Sequence, residues 1–356
     1  MKYIHRILLL ILAFLSLYTS VPGEVKSCTR ALWVGGKDTP VIAGRTLDWF
    51  EPLQDKMWVF PRGIERNGTT PKNPAQWTSK YGSVAVSSYD FATVEGMNET
   101  GLVAHVLYLS ESEYGDRDPN RPGLSTGLWA QYVLDNFATV DEAVRFWQVS
   151  DIQLQTAEIG VKSRKKGGFH LALADKTGDS AIIEYRGGKP VIHHSRKYKV
   201  LTNSPIFEDQ ITILKYFESK GISERLLPGS SQSTDRFLRA SYYINALPVN
   251  PKSIGDAVMG VLSVMRNVSA PFGIVDPDRA DVMTTIWRSV VDATNGGYYF
   301  EYSASPNMIW VQLGKLDFSR GAKVKMLDIA GRRDLIGDQS AAFEPALPFK
   351  PLRPSE

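Results

Sequence analysis

Cys28 is the only cysteine in this chain of 356 residues, and so its only thiol. Arg45 and Asp48 follow it in the stretch CTRALWVGGKDTPVIAGRTLDW, which closes on Trp49. A thiol, a guanidinium and a carboxylate are the parts needed to attack a carbonyl carbon. The thiolate is the nucleophile, a nearby cation favours it, and a carboxylate orients the group that moves the proton. The runs ALWV and PVIAGRTLDW are strand-like, and the polar GGKDT between them reads as a turn. A hairpin of this kind folds its far strand back beside its start, so that Cys28 lies close to Arg45 and Asp48. A buried, inert thiol is the competing reading of a lone cysteine.

The segment ahead of Cys28 reads as a secretory signal over residues 1–27. Lys2 and Arg6 make a basic start, residues 7–18 are apolar apart from Ser16, and Pro22 and Gly23 break the helix. The apolar run is short for a membrane span. Val25 and Ser27 stand at the −3 and −1 positions of a cut before Cys28. Two alternatives compete: a degenerate lipoprotein box, Val25-Lys26-Ser27-Cys28, and cleavage near Ser20 followed by loss of a short propeptide. Without lipidation, the mature protein is expected to be exported, periplasmic or secreted, with no stable membrane span after processing.

Residues 28–356 are long enough for one large core and read as a single domain. A formal charge of +3 is too small to argue for nucleic acid. One cysteine excludes an intramolecular disulfide, and an exported protein that keeps an unpaired thiol needs a reason such as catalysis. The hydrophobic fraction of 43% is ordinary for a globular chain.

Cys28-Thr29-Arg30 and Gly44-Arg45-Thr46-Leu47-Asp48-Trp49 resemble the opening of the choloylglycine hydrolase family. These are N-terminal-nucleophile hydrolases and include penicillin V acylases and bile salt hydrolases. The resemblance continues through the turn Asn98-Glu99-Thr100-Gly101-Leu102, the segment Leu201-Thr202-Asn203-Ser204-Pro205 and the run Ser233-Thr234-Asp235-Arg236-Phe237. It implies hydrolysis of a linear, non-peptide amide through a thioester on Cys28, whose own α-amine is the base. It places the side chain of Asn203 and the backbone N–H of Tyr108 at the oxyanion, and Arg236 at the catalytic centre. Tyr108 stands where penicillin V acylases carry tyrosine and many bile salt hydrolases asparagine. On the residues alone, Tyr108 reads equally as a core aromatic, Asn203 as a turn residue and Arg236 as a surface helix residue.

The implied substrate is a small amide with an apolar acyl group, penicillin V first, with conjugated bile salts and N-acyl homoserine lactones as alternatives. Trp49 is the expected wall of its pocket, with Trp58, Phe60 and Trp129 as looser candidates. An exported binding protein on an inactive scaffold and a surface lipoprotein are the non-enzyme alternatives. No cofactor is expected, and a homotetramer is left open as the assembly. His193-His194 invites a metal reading, but neighbours on a strand point to opposite faces, and no cysteine or H-x-x-E ligand lies near; no metal is expected.

The elements that must position these residues follow from period and punctuation. Strand signals run from Met57 to Phe60, from Tyr81 to Gly96 and, after the turn at Met97–Gly101, through LVAHVLYL. Helical faces follow at Leu128–Phe137 and in DEAVRFWQ. Gly168–His194 alternates as a meander of three strands. Gln210–Phe217, the stretch after Ser233-Thr234-Asp235 (read as its cap) and Ser253–Val268 read as helices, the last with Ile254, Val258, Val261, Leu262 and Met265 inward. Met283–Val291, Gly297–Tyr302 and Met308–Leu313 are strands, and the proline-rich tail from Phe343 drapes over the surface. Strands and helices in this order, joined by hairpins, give an α+β fold. The resemblance sharpens this to a four-layer αββα sandwich of two antiparallel sheets.

Overall fold

The computed structural model describes residues 28–159, 165–221, 223–274 and 283–355. The expected signal, residues 1–27, lies outside the described residues, as do positions 162–164 of the basic run KSRKK at 162–166, which reads from its sequence as a solvated loop.

The hairpin forms as its pattern requires. Strand β1 (Cys28–Val34) pairs antiparallel with β2 (Val41–Trp49), in a register that sets Cys28 opposite Leu47 and Arg30 opposite Arg45. All nine residues of β2 are buried, with no polar–apolar alternation. That is the mark of a strand covered on both faces, and it requires an inner layer.

Further strands follow in chain order: β3 (Lys56–Phe60), β4 (Ser83–Ser88), β5 (Ala92–Asn98), β6 (Val103–Tyr108), β7 (Phe169–Ala174), β8 (Ser180–Arg186), β9 (Lys189–His194) and β10 (Val200–Leu201). The C-terminal part adds β11 (Thr284–Asp292), β12 (Gly297–Tyr302), β13 (Met308–Gln312), β14 (Lys325–Asp328), β15 (Gly337–Asp338) and β16 (Glu344–Pro345). Two large sheets result. One has seven strands, ordered β10-β1-β2-β11-β12-β13-β15; the other has nine, ordered β9-β8-β7-β6-β5-β4-β3-β14-β16. Pairing is antiparallel except between β13 and β15.

Among the described residues, five α-helices cover the sheets. Helices α1 (Trp129–Asn136) and α2 (Val140–Val149) pack on the nine-stranded sheet, around Trp129, Val133, Leu134, Val144 and Trp147. Helix α3 (Phe207–Ser219) follows β10, and α4 (Ser233–Ala246) and α5 (Ile254–Asn267) lie against the seven-stranded sheet. The order is helices, sheet, sheet, helices: the expected αββα sandwich. Gly44 belongs to this packing, since a Cβ there would come within 2.7 Å of Val261 Cγ1 and 2.8 Å of Met265 Cγ on α5.

Some local expectations need correction. Ser233 does not cap α4: Gln232 holds that position without a side-chain bond, and Ser233 Oγ instead accepts the N–H of Asn203 at 2.9 Å. Ile254 is not inward but 46% exposed, because α5 begins at that residue under the Ser253 cap and its first turn overhangs the sheet. The tail is only partly superficial: Phe349 is buried against Trp58 and Phe60.

The turn at residues 98–101 is built by one side chain. Asn98 Oδ1 accepts from the N–H groups of Thr100 and Leu102, each at 3.1 Å, while its Nδ2 donates to the carbonyls of Leu134 and Phe137. Gly101 holds φ +91°, and a Cβ there would lie 2.3 Å from the carbonyl oxygen of Ala293. Gly101→Ala therefore combines left-handed strain with a clash against backbone. It should lower unfolding stability by more than about 1 kcal/mol; an unchanged urea midpoint would show that the turn relaxes freely.

Candidate active site

Cys28 opens β1 and is 5% exposed at the head of a narrow cavity of about 80 Å³. The walls come from both sheets: Arg45, Leu47, Asp48 and Trp49 from β2, Val94 and Val106 from β5 and β6, and Leu53, Tyr89, Tyr108 and Phe169 around them. Residues facing each other across an antiparallel pair share a face, as do residues two apart on one strand. Pairing Cys28 with Leu47 thus turns Arg45 to the thiol side. Thr46 and Asp48 face the other way, and Thr46 Oγ1 links the two strands there by accepting from the N–H of Thr29 at 3.0 Å and reaching Asp48 Oδ2 at 3.4 Å.

Burial pushes the Cys28 thiol up. Arg45 opposes that rise, the charge of Asp48 adds to it, and the backbone N–H of Asp48 and the charge of Arg236 draw it down again. The expected help from Arg45 is present, but it does not outweigh desolvation. Arg45 itself is buried, and both of its terminal nitrogens are engaged. Nη1 donates to the Val94 carbonyl at 2.6 Å and meets Glu95 Oε2 at 3.3 Å, Nη2 donates to the Val106 carbonyl at 2.5 Å, and the guanidinium lies 5.3 Å from the Trp287 ring centre. The residue therefore locks the hairpin to the second sheet. Glu95 is buried too; burial raises its carboxyl, Arg45 lowers it, and the Tyr298 hydroxyl hydrogen-bonds to it.

Asn203 and Arg236 arrive from the other side. The N–H of Cys28 donates to Asn203 Oδ1 at 2.5 Å, and Arg236 Nη2 donates to the same oxygen at 2.9 Å. Arginine can only donate, so this contact fixes which end of the amide is oxygen. Asn203 Nδ2 then donates to the carbonyl of Tyr108 at 2.8 Å. Arg236 also donates through Nη1 to the Cys28 carbonyl at 2.5 Å and to Thr29 Oγ1 at 2.6 Å. It is fully buried, which excludes the surface-helix reading. Burial lowers its pKa, and Asp48 and Cys28 counter the fall.

Six sequence candidates, Cys28, Arg45, Asp48, Tyr108, Asn203 and Arg236, thus converge on one place, with Trp49 on the cavity wall. The looser candidates do not. Trp58 and Phe60 stack on each other at the far side of the nine-stranded sheet with Phe349, and Trp129 packs edge-on to Trp147 beneath it. Trp58 and Phe60 lie on the face turned towards the tail, which strand parity alone could not decide, and Trp129 belongs to the covering helix α1.

Sequence reasoning missed Tyr89 and Phe169. Trp49 Nε1 donates to the Tyr89 hydroxyl at 2.6 Å, and that hydroxyl donates to Glu51 Oε1. Tyr89 and Asp90 both have positive φ, 54° and 57°, where the strand-like run from Tyr81 breaks into β4 and β5. The Tyr-Asp pair was the one available sign of that turn. A larger cavity, about 520 Å³, opens at the far end of the sandwich among the turns at 98–101 and 293–296. Its lining includes Arg62, Glu99, Lys176 and Asn295 but no thiol, whereas Cys28 lines the smaller cavity.

Comparison with known proteins identifies the family and the fold. The family model of linear amide C–N hydrolases, choloylglycine hydrolase family, matches residues 28–326, beginning at Cys28. The chain is 42% identical over 347 residues to a penicillin V acylase from Pectobacterium atrosepticum, covering 91% of this chain and 92% of that protein. The structure of a penicillin V acylase from Agrobacterium tumefaciens superposes with a TM-score of 0.82 at 44% identity, covering 91% of this chain and 99% of that one. A variant of the conjugated bile acid hydrolase from Clostridium perfringens shares the fold at 18% identity, with a TM-score of 0.71 and coverage of 86% and 98%.

Proposed function

The chain belongs to the choloylglycine hydrolase family of linear amide C–N hydrolases, and from that premise we propose that it is an exported acylase that removes the acyl side chain of penicillin V, using Cys28 as an N-terminal nucleophile. The observation that carries the reading is the position of Cys28, at the first residue of β1 and the head of an apolar cavity, with Asn203 and Arg236 on its backbone.

In the mature chain the Cys28 nitrogen becomes an α-amine. A free amine titrates near pH 7.7–8.0 and a free thiol near about 8.5, so one residue holds a base and a nucleophile of similar strength. The amine takes the thiol proton, directly or through water, and Asn203 Oδ1 orients it. The thiolate adds to the amide carbon. Asn203 Nδ2, which carries a second hydrogen besides the one given to Tyr108, and the Tyr108 backbone N–H receive the oxyanion. The ammonium then protonates the departing amine, and water hydrolyses the thioester. Asp48 and Arg236 hold the strand end in place.

Support for penicillin V comes from the 42% relative, from Tyr108, and from the narrowness of the cavity between Trp49, Tyr89 and Phe169. A flat phenoxyacetyl group suits such walls. The purified mature enzyme should release 6-aminopenicillanic acid from penicillin V, with the β-lactam ring left closed, faster than it releases glycine or taurine from conjugated bile salts or cleaves acyl homoserine lactones. Bile-salt turnover faster by an order of magnitude would make the substrate assignment wrong and leave the mechanism standing.

Export and processing have their own test. Intact mass of the protein recovered outside the cytoplasm should correspond to a chain starting at Cys28 with an unmodified amine. A diacylglyceryl adduct, or a fully active chain starting upstream, would exclude this route to the nucleophile.

A further inference from the structure

Glu184 on β8, His193 on β9 and Glu208 in the first turn of α3 meet away from the Cys28 cavity. Their ligand atoms all lie within 4.8 Å of one another. His193 Nε2 stands 3.9 Å from Glu184 Oε2 and 3.9 Å from Glu208 Oε1. We propose that these three side chains bind one divalent transition-metal ion of the zinc class, which pins the N-terminus of α3 to the nine-stranded sheet.

The first argument is the state of the Glu184 carboxylate. Its side chain is completely buried. One oxygen, Oε1, is occupied by the Phe207 N–H at 3.0 Å and His170 Nδ1 at 3.2 Å. The other, Oε2, is buried with no hydrogen-bond partner among the described residues, and so is His193 Nε2, the atom it faces. Leaving such groups unsatisfied is costly, and a cation between them would satisfy both.

The second argument is spacing. At 3.9 Å the imidazole is too far from either carboxylate for a hydrogen bond. Ligands about 2.1 Å from a tetrahedral ion are about 3.4 Å apart, so a small inward shift completes the shell. Glu208 is the side chain free to make it, being about half exposed at 48%, and a water can take the fourth position. The His193 ring is held more firmly, with ring centres 5.0 Å from Phe207 and 6.3 Å from Tyr198. Arg186 Nη2 already donates to Glu208 Oε1 at 2.8 Å and would remain as that ligand's outer partner. One imidazole with two carboxylates is a borderline donor set. It suits zinc and its neighbours, whereas calcium and magnesium take all-oxygen shells.

The ion would also act on the segment that carries Asn203. Gln210, two residues beyond Glu208 on α3, donates to the carbonyls of Asn203 at 2.6 Å and Pro205 at 2.7 Å. Fixing the start of α3 therefore stiffens the support of the oxyanion donor.

Zinc chloride titrated calorimetrically into the chelator-treated mature Cys28→Ser protein tests this without a competing thiolate. One zinc per chain at micromolar or tighter Kd is expected, with a rise of several degrees in Tm. In the same background, His193→Ala and Glu208→Gln should each weaken binding at least tenfold. Glu208 is exposed enough for its variant to fold. His194→Ala should bind as before, because His194 pairs with Asp179 on the opposite face at 2.8 Å. No zinc uptake at 100-fold excess by the intact cluster, undiminished affinity in both ligand variants, or calcium binding as tight as zinc would each overturn the proposal.

Discussion

Cys28→Ala should abolish amide hydrolysis while leaving the fold and its Tm nearly unchanged. The thiol is small, it sits at a strand's first residue, and its backbone ties to Asn203 and Arg236 do not involve sulfur. Cys28→Ser should retain at most a trace, because an alkoxide forms far less readily than a thiolate near neutral pH. Iodoacetamide should inactivate the wild type with one label per chain, since there is no second thiol. The pH dependence of that labelling carries further information. In a chain still extended beyond Cys28, burial raises the thiol pKa despite Arg45, so labelling should climb only at a pH above the ordinary thiol range. Freeing the α-amine places an ammonium beside the sulfur, which favours thiolate and should move the profile down. Measurable turnover by Cys28→Ala, or identical labelling profiles before and after processing, would remove the nucleophile assignment.

The second large effect is at Asn203. Losing one oxyanion donor typically costs about 10²–10³ in kcat, and Asn203→Ala should fall in that range with KM little altered. A structural cost accompanies it, because the Cys28 nitrogen and Arg236 Nη2 both use Oδ1. Leaving buried donors unpaired costs about 1–3 kcal/mol, which denaturation would detect. Asn203→Asp separates the two roles: it keeps an acceptor for both donors but loses the amide N–H groups. Expected is partial recovery of stability, since the second carboxylate oxygen faces the Tyr108 carbonyl that Nδ2 serves in the wild type, with kcat still reduced at least a hundredfold. If the aspartate variant regains turnover, Asn203 acts by holding the strand end, and the oxyanion must be met elsewhere.

Much of this protein is set locally and can therefore be read from the chain. The hairpin from Cys28 to Trp49 depends on two strand-forming runs and a polar turn, and its register follows from them. The turn at Asn98–Gly101 is specified by one asparagine and one glycine whose backbone needs φ +91°. The meander of β7, β8 and β9 is written in its period of two. Such features need only neighbours in sequence, and the motif residues they carry were all recognisable by type. What no local pattern contains is which face of a strand or helix meets which partner. Arg45 could be read as an aid to the thiolate, but only the second sheet brings it the carbonyls of Val94 and Val106 and the Glu95 carboxylate. Ser233 looked like a cap and became a partner of Asn203 because α3 and α4 fold back over β10. Trp58, Phe60 and Trp129 were as aromatic as Trp49, and only stacking of the sheets decided that Trp49 lines the cavity and the others do not. His193 looked isolated beside a histidine pointing the other way; its companions Glu184 and Glu208 come from a neighbouring strand and a later helix. Sequence settles what a residue can do, because chemistry belongs to the side chain. Tertiary packing settles what it does do, because burial, pairing and distance are properties of segments brought together from far apart.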